Sequence, residues 1–444
     1  LAAAAACRKT PPAGNPGAPG AGRRVLVVGG GLCGLRTLDL LLERGFDARL
    51  LEGATRLGGR LYTLREGLPA GLRVELGGER VAHADARVHA LMERLGLTPA
   101  PYPAPSGAIR ATFGGRTFDG AAPPPDLFEG LGENERDGAP FFVHASVAEA
   151  ARPPADDDPR SGLEWLRAAG LTPRGEALVR AFTYHEIDRL PAPALARAIA
   201  RELAVRGGAA SVGGGADQLA ERLAVGREGR IERGFVAAEV EVAGDVVRLR
   251  DARGEAREAA AAVFCLSLSA LRKLKFAAGT PAPLAARLDG LAVGDELKVS
   301  AHLPASARAV AEYSAADAFP RASWRLPETA ADGPYVWNVM AVRDDVAPAR
   351  EAWKTGAAGF AAYMARRAPD VAPHGPRWFA HDWKLDPLAG GAYAWARTPA
   401  GLEPGPLRAG PLWFAGGDLS SLPGWMEGAL ESAESVAAAV EAGG

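Results

Sequence analysis

A glycine-rich turn near the start of the chain is the feature that most constrains its fold. A short apolar run, residues 25–28, leads into Gly29, Gly31 and Gly34, spaced as GxGxxG, and a segment with helical periodicity follows. In such a turn the first glycine permits the tight bend, the second admits a pyrophosphate, and the third lets the helix pack close to the strand. The pattern predicts a β-α-β unit that binds a dinucleotide at the helix N-terminus.

The residues after this turn indicate which dinucleotide is bound. Glu52 ends a predicted second strand eighteen residues after Gly34, where an acid binds the hydroxyl pair of a ribose. The next residues, EGATRLGGR (52–60), add Arg56, Gly59 and Arg60. A nicotinamide dehydrogenase has no need of this basic, glycine-rich extension, which can follow and neutralise a longer, permanently bound cofactor. The segment therefore favours FAD over NAD.

Composition excludes several other classes of protein. The chain has 444 residues, 23% of them charged, and a net charge of −2, so the basic surface of a nucleic-acid-binding protein is not expected. The three cysteines form no CxxC pair, and no metal-ligand spacing is apparent, so no metal site is expected. No run of 18 apolar residues predicts a transmembrane helix.

Residues 1–22, LAAAAACRKTPPAGNPGAPGAG, admit two interpretations. The first is a disordered, low-complexity tail, with a cytoplasmic location by default. The second is the remnant of an export signal, because small residues directly before Cys7 resemble a bacterial lipoprotein signal in which that cysteine carries lipid. Composition does not decide between the two.

The rest of the chain alternates helical, strand-like and loop-like segments. Proline-rich stretches at residues 99–107, 121–128 and 151–159 predict loops. Helical patterns, strand patterns and a final helix follow. Strands are predicted at 234–255 and 259–266, and a strand that leads into a turn at 411–418. Helices are predicted at 162–203 and 426–442, and a glycine turn that opens a helix at 211–224.

Four sequence blocks together resemble the flavin-containing amine oxidase family, which includes monoamine, polyamine and L-amino acid oxidases. They are VLVVGGGLCGL with EGATRLGGR, VELGGERV (74–81), DPLAGGAYAW (386–395) and FAGGDLSSLPGWMEGALESAESVA (414–437). The resemblance runs from residue 23 to the C-terminus. It implies an α/β (α+β) fold with a discontinuous Rossmann-like FAD-binding domain, residues 23–85, 205–290 and 405–444. A mixed sheet-plus-helix substrate domain would comprise residues 86–204 and 291–404.

The resemblance also implies how FAD is held. Ala392 stands where monoamine oxidases carry the cysteine that binds flavin covalently, so the FAD is expected to be non-covalent. Val236 is expected to contact the adenine through its backbone. The full set of expected cofactor-binding residues is Gly29, Gly31, Gly34, Glu52, Arg56, Gly59, Arg60, Gly77, Gly78, Val236, Gly416, Gly417, Asp418 and Met426.

Three residues are candidates for catalysis. Tyr393 and Trp425 match the family's two aromatic positions facing the flavin, where electron-rich rings would hold an amine between them. On spacing alone, both could instead be ordinary core aromatics. Lys298 in GDELKVS stands where the family's lysine holds a water against the flavin, although a lysine at a strand edge is the plain alternative.

Arg80 is the candidate that bears most on the substrate. It falls where L-amino acid oxidases carry an arginine whose guanidinium pairs with the substrate carboxylate. Here Glu79 replaces the usual hydrophobic neighbour and could neutralise it. In the middle segment, His185 could act as a base for the amino group, but a structural role is the simpler interpretation.

The expected reaction is oxidation of an amine, and in particular of an L-amino acid, to an imine, with O2 reduced to H2O2. The imine then hydrolyses to a keto acid or aldehyde and ammonia. Alternatives are a polyamine or monoamine oxidase, a C–C desaturase resembling protoporphyrinogen oxidase, or a flavin-binding scaffold without turnover. Ser267 and Ser269 lack a nucleophile elbow, which argues against a hydrolase. A homodimer is compatible with the sequence but is not specified by it.

Overall fold

The computed structural model describes residues 22–101, 109–136, 140–309, 313–316, 322–326 and 334–443. Within them it has twelve α-helices: α1 (Leu32–Glu43), α2 (Ala86–Arg94), α3 (Val143–Ala150), α4 (Gly162–Ala168), α5 (Pro173–Phe182), α6 (Ala192–Arg206), α7 (Gln218–Ala224), α8 (Leu268–Lys273), α9 (Ala282–Asp289), α10 (Val346–Lys354), α11 (Gly356–Arg367) and α12 (Met426–Ala442). Of the predicted tail, only Gly22 falls within the described residues.

The strands of the first half of the chain are β1 (Arg24–Val28), β2 (Asp47–Glu52), β3 (Thr63–Leu64), β4 (Val74–Glu75), β5 (Val81–Ala82), β6 (Pro99–Pro101), β7 (Ile109–Phe113), β8 (Arg116–Asp119), β9 (Ala209–Val212), β10 (Ile231–Arg233), β11 (Ala237–Ala243) and β12 (Val246–Asp251). Those of the second half are β13 (Ala256–Ala259), β14 (Ala261–Phe264), β15 (Lys275–Phe276), β16 (Leu291–Val293), β17 (Leu297–Leu303), β18 (Tyr313–Ala316), β19 (Ala322–Arg325), β20 (Tyr335–Ala341), β21 (Arg377–Asp382), β22 (Ala394–Ala396), β23 (Leu407–Ala409) and β24 (Leu412–Phe414).

A six-stranded sheet joins segments that are far apart in the sequence. Its order is β10-β2-β1-β14-β24-β23, and every neighbouring pair is parallel except β23 with β24. In register, Val27 of β1 lies between Leu50 of β2 and Val263 of β14. These strands are buried on both faces, which is why they read as continuous apolar runs. Ligands bind at the carboxyl ends of the strands in sheets of this kind.

A second, seven-stranded sheet has the order β21-β17-β20-β19-β18-β7-β8. Helices α10 and α11 belong to the core on one of its faces, where Phe360 and Met364 of α11 pack with Val299 of β17 and Val339 of β20. The central strand β17 therefore has neighbours on both sides and a helical layer against it. This rigid position matters because Lys298 lies on β17.

The observed elements confirm the α/β class and most sequence expectations. Helix α12 has the predicted limits, and the strand pattern at 234–255 forms the hairpin β11–β12. The loop predicted for residues 99–107 is wrong at its start, because Pro99–Pro101 forms strand β6 against β9. Proline is tolerated there because β6 is the edge of the sheet β5-β9-β6. The domain limits inferred from sequence remain a prediction.

Candidate active site

The turn after β1 has the close contacts that its glycines predict. Gly29 has a φ of +107°, which favours glycine, and its N–H donates to the carbonyl of Leu51 at 2.8 Å. A Cβ on Gly34 would lie 1.8 Å from the carbonyl oxygen of Gly29, so only glycine lets α1 pack this close to β1. A Cβ on Gly31 would meet its nearest neighbour, the Cα of Gly59, at 4.0 Å. The two loops meet here, because the N–H of Gly58 donates to the carbonyl of Gly30 at 2.8 Å and a Cβ on Gly59 would lie 3.2 Å from the Cα of Gly31. Gly31 and Gly59 therefore present bare backbone to the cavity that they line.

Glu52 ends β2, and its carboxylate contacts the glycine turn. Its oxygens accept hydrogen bonds from the N–H of Gly30 at 2.5 Å and of Ala54 at 2.6 Å. Burial raises the pKa of Glu52, and the two N–H donors oppose that shift. Val236 lies close by, because the N–H of Phe235 donates to the carbonyl of Glu52 at 3.0 Å. The predicted ribose acid and the predicted adenine contact are therefore neighbours.

Arg60 ties the first sequence block to the last. Its guanidinium donates to Asp418 Oδ1 at 2.7 Å and to the carbonyl of Ala392 at 2.9 Å. The same carboxylate accepts from the N–H of Leu268 at 2.9 Å and of Ala394 at 3.3 Å. Asp418 is 3% exposed, and three residues donate to its carboxylate: Arg60, Leu268 and Ala394. Its side chain thus holds the walls of the site together, whereas the resemblance predicts a contact with the cofactor.

The remaining predicted cofactor residues line the walls of the same cavity. Arg56 lies 4.5 Å above the ring of Tyr62 and donates to the carbonyl of Leu61 at 3.2 Å. A Cβ on Gly77 would lie 1.9 Å from the carbonyl of Arg60. The segment 74–78 therefore packs directly on the loop that carries Arg56 and Arg60. The lining also includes Gly78, Gly416, Gly417 and Met426.

One continuous cavity of about 1570 Å³ runs from the glycine turn to the substrate side of the molecule. Typical small-molecule pockets measure roughly 300–1,000 Å³, so this volume can take a dinucleotide and a substrate together. The glycine turn, the acid Glu52 and the N-terminus of α1 lie at one end of it, and they are the groups expected to contact a ribose and a phosphate. The residues present therefore fit a flavin dinucleotide.

The two aromatic residues predicted to face the flavin, Tyr393 and Trp425, lie close together at the other end of the cavity. Both Tyr393 and Trp425 line it, and a Cβ on Gly424, the residue before Trp425, would lie 3.0 Å from the Cβ of Tyr393. The guanidinium of Arg201 lies 3.9 Å from the centre of the Trp425 ring. Arg201 is itself held by Asp85, whose Oδ2 accepts from it at 2.7 Å. One face of Trp425 therefore already carries a cation.

Glu296 is a cavity residue that the sequence did not single out. The hydroxyl of Tyr393 donates to its carboxylate. Burial raises the pKa of Glu296 to about 7, with the Asp295 charge adding to the shift and the Tyr393 hydrogen bond opposing it. Burial likewise raises the pKa of Tyr393 well above its usual value, which keeps the phenol protonated as a donor. Glu296 can thus exchange a proton near neutral pH beside the aromatic pair.

Lys298 is paired rather than free. Its ammonium contacts the Glu79 carboxylate at 2.5 Å and the Gly77 carbonyl at 3.1 Å. The other oxygen of Glu79 accepts from the indole N–H of Trp324 at 2.5 Å and lies 3.9 Å from Arg80. The Arg80 guanidinium stacks 4.3 Å above the Trp324 ring. The sequence predicts that Glu79 could neutralise Arg80; the structure brings the two to 3.9 Å, but Glu79 lies closer to Lys298.

Three titratable side chains from separate elements meet at the edge of the cavity. His144 on α3 and His185 after α5 both direct Nε2 at Oε2 of Glu202 on α6, at 3.0 Å and 3.4 Å. Burial would raise the pKa of Glu202, but the two imidazoles outweigh it and hold that pKa well below its usual range. His185 and Glu202 line the cavity. Sequence reading missed this cluster because its members are up to 58 residues apart.

The structure thus gathers most of the predicted residues around one cavity. The cavity is lined by Gly29 and Gly31 of the glycine turn, by Arg56 and Arg60, by Gly416 and Gly417, and by Arg80, Lys298, Tyr393 and Trp425. The only sequence signal for Glu296 is that it is an acid two residues before Lys298. Nothing in the local sequence shows that it faces Tyr393. The roles assigned to these residues remain predictions.

Comparison with known proteins assigns the family. The family model described as flavin containing amine oxidoreductase matches residues 32–441, so the chain belongs to that family. Its fold is shared with wild-type putrescine oxidase bound to putrescine, at a TM-score of 0.77 and 18% identity over 95% of this chain and 99% of that one. Cyclohexylamine oxidase from Brevibacterium oxydans gives a TM-score of 0.74 at 19% identity, over 95% and 99%.

Curated relatives match shorter stretches. Human amine oxidase [flavin-containing] B is 41% identical over 73 residues, which are 16% of this chain and 14% of the relative. The (S)-6-hydroxynicotine oxidase of Paenarthrobacter nicotinovorans is 38% identical over 103 residues, 22% and 24% of the two chains. A flavin-dependent L-tryptophan oxidase of Lentzea aerocolonigenes is 37% identical over 78 residues, 17% and 16%. These matches span less than a quarter of each relative. Among the described residues, no helix has the length and apolar character needed to cross a membrane.

Proposed function

We propose that this protein is an FAD-dependent oxidase that converts an amine, in particular an L-amino acid, to an imine while O2 is reduced to H2O2. The imine then hydrolyses to a keto acid or aldehyde and ammonia. The observation that carries this proposal is the single cavity that joins the dinucleotide cradle at Gly31 to the aromatic pair Tyr393 and Trp425. A nucleotide site that opens directly onto an aromatic substrate chamber suits hydride removal from a bound amine.

A bound flavin supplies the two-electron acceptor for this reaction. The chain's part is to hold the amine, remove its proton and exclude water. Tyr393 and Trp425 offer flat, electron-rich walls that suit an amine with residual positive charge. The Glu296 carboxylate, hydrogen-bonded to the Tyr393 hydroxyl, is placed to take the ammonium proton so that the neutral amine reacts. Lys298 and its partner Glu79 lie on the Gly77 side of the same cavity.

The cofactor is proposed to be bound without a covalent link. Ala392 has no nucleophilic side chain, and its carbonyl is engaged by the Arg60 guanidinium. The contacts that would replace a covalent link include those of the Glu52 carboxylate, the glycine turn and the amides at the start of α1. Retention of FAD would therefore depend on non-covalent contacts with the walls of the cavity.

Arg80 supports a substrate with a carboxylate. It lines the cavity, and its guanidinium is oriented by stacking on Trp324. A charged hydrogen-bonded contact of this kind contributes about 1.5–3 kcal/mol, which corresponds to an affinity change of roughly 10- to 150-fold. The Glu79 oxygen 3.9 Å from Arg80 compensates part of the positive charge of its guanidinium, although Glu79 also engages Lys298 and Trp324.

A second candidate is oxidation of an amine that lacks a carboxylate. It is favoured by the two acids that act on Tyr393, Glu296 and Glu186, because carboxylates attract a substrate with a second ammonium group. Glu79 supports it further by compensating the positive charge near Arg80. The two candidates share their chemistry and differ in the group that Arg80 would meet.

Matched substrate pairs test the proposal. The yellow holoenzyme is mixed anaerobically with an L-amino acid or with its decarboxylated amine, and flavin bleaching is followed by absorbance. We expect Arg80→Ala to raise the Michaelis constant for the amino acid roughly 10- to 150-fold and to leave that of the amine within about twofold. The exposed Arg116→Ala serves as the control. Equal effects on both members of a pair would refute the carboxylate contact, and no bleaching with any amine would refute the oxidase.

A further inference from the structure

In the cluster of His144, His185 and Glu202, three potential metal-ligand atoms lie close together, and hydrogen bonds account for only part of this arrangement. The Nε2 atoms of both imidazoles approach the same oxygen of Glu202, at 3.0 Å and 3.4 Å. The shorter contact is a normal hydrogen bond, whereas the Nε2 of His185 has no hydrogen-bond partner among the described residues. A buried imidazole nitrogen therefore faces a carboxylate oxygen without bonding to it.

These separations match those of ligands around one metal ion. Zinc binds imidazole nitrogen and carboxylate oxygen at about 2.0–2.2 Å, so two ligands at the tetrahedral angle lie about 3.4 Å apart. The three donor atoms of the cluster all lie within 4.8 Å of one another. Only small side-chain movements would bring all three to bonding distance of a shared ion.

The electrostatic setting also favours a cation. The side chain of Glu202 is 20% exposed and lies against both imidazoles. A carboxylate in such a site needs a compensating positive charge, which either a protonated histidine or a metal ion supplies. Arg206 is the other cation acting on Glu202, but its guanidinium stacks 3.4 Å from the centre of the Phe142 ring.

The three ligands come from separate segments of the chain, two of them helices. His144 is on α3 and Glu202 on α6, while His185 follows α5, with its N–H donating to the Thr183 hydroxyl at 3.1 Å. Two histidines with one carboxylate form the ligand set of several divalent transition-metal sites, and of catalytic zinc sites that keep a further position open. Because His185 and Glu202 line the cavity, that further position faces it.

We propose that His144, His185 and Glu202 bind one divalent transition-metal ion, with zinc as the best match, at the edge of the substrate chamber. This site is independent of the flavin and goes beyond the oxidase activity proposed above. The ion would fix α3, α6 and the segment after α5 relative to one another. It would also present an open coordination position, suited to water or a carboxylate, toward the cavity.

Metal content measured beside flavin content tests the site. Holoenzyme without a polyhistidine tag is treated with a chelator, dialysed against Zn²⁺ and then against buffer, and zinc and FAD per chain are measured by mass spectrometry and absorbance. We expect about one zinc per chain in the wild type, and less than about 0.1 in His185→Ala and in Glu202→Gln. His374→Ala, outside the cluster, should keep about one zinc.

Each outcome decides the proposal. A wild type that retains no zinc would leave the cluster as a hydrogen-bonded triad and overturn it, and equal zinc in the variants would place the ion elsewhere. If the variants lose FAD or fold poorly, the zinc absorption edge of the wild type replaces them. Two imidazole ligands at about 2.0–2.1 Å are then expected, and their absence refutes the site. Neither zinc readout depends on amine turnover, so failure of the oxidase proposal would be seen separately.

Discussion

Replacement of Glu296 by glutamine tests whether this carboxylate receives the proton of the bound amine. Glutamine keeps the size of the side chain and can still accept the hydrogen bond of the Tyr393 hydroxyl, but it cannot be ionised. Burial and Asp295 place the pKa of Glu296 at about 7. The titratable groups that act on Glu296 are Tyr393 and Asp295, and Glu186 in turn acts on Tyr393.

The size of the effect follows from this pKa. A carboxyl group with a pKa of about 7 is ionised to about 10% at pH 6 and about 90% at pH 8. Wild-type kcat/KM should therefore gain about tenfold over this range from Glu296 alone. The amine substrate titrates as well, but identically for both enzymes. The ratio of kcat/KM between wild type and Glu296→Gln removes that contribution.

The assay is peroxide formation across this pH range with one amine substrate. We expect the ratio of wild type to Glu296→Gln to rise about tenfold from about pH 6 to about pH 8. Glu351→Gln, an exposed glutamate paired only with Lys354 among the described residues, should give a flat ratio near one. A flat ratio for Glu296→Gln as well would refute the proton-accepting role, whatever the absolute loss of activity.

Three further outcomes follow from the site. In the folded protein Glu296 keeps its proton up to about pH 7, whereas in the unfolded chain it loses it at about pH 4.5. The contribution of Glu296 to the free energy of unfolding should therefore decrease as the pH rises through this window, and denaturant titrations of Glu296→Gln should lack that decrease. Gly34→Ala, whose Cβ would lie 1.8 Å from the Gly29 carbonyl, should yield protein with less than about a tenth of the wild-type FAD content, and retention of FAD would contradict the tight turn. Acid precipitation of wild type should release all flavin into the supernatant, whereas colour left in the pellet would contradict a non-covalent cofactor.

Sequence reasoning succeeded where a local pattern has one physical solution. The turn at Gly29 and Gly34 is constrained by sterics, so its conformation and the start of α1 could be read directly. The final helix was equally clear, because α12 follows a strand and a turn and continues with helical periodicity. Strand β6 was missed because its two prolines suggest a loop, and only the edge position beside β9 makes a strand acceptable.

The substrate side was less predictable because its contacts are long-range. Glu296 and Tyr393 are 97 residues apart, and His144 and Glu202 are 58 apart. No local pattern encodes such pairings, and the tertiary fold alone creates them. Likewise, no local pattern encodes the ion pair of Asp418 with Arg60, which is 358 residues away, and the contact of Asp418 with the cofactor stays a prediction.

The position of β24 has a consequence for biosynthesis. This strand, residues 412–414, lies beside β14 in the six-stranded sheet, and Asp418 just after it holds the Arg60 loop. A ribosome makes the glycine turn among its first residues, but the wall opposite that turn emerges only with the last tenth of the chain. The sheet that carries the glycine turn is therefore incomplete until β24 has been synthesised. We expect a chain that stops before β24 to bind FAD poorly, because Asp418 would not be present to hold Arg60.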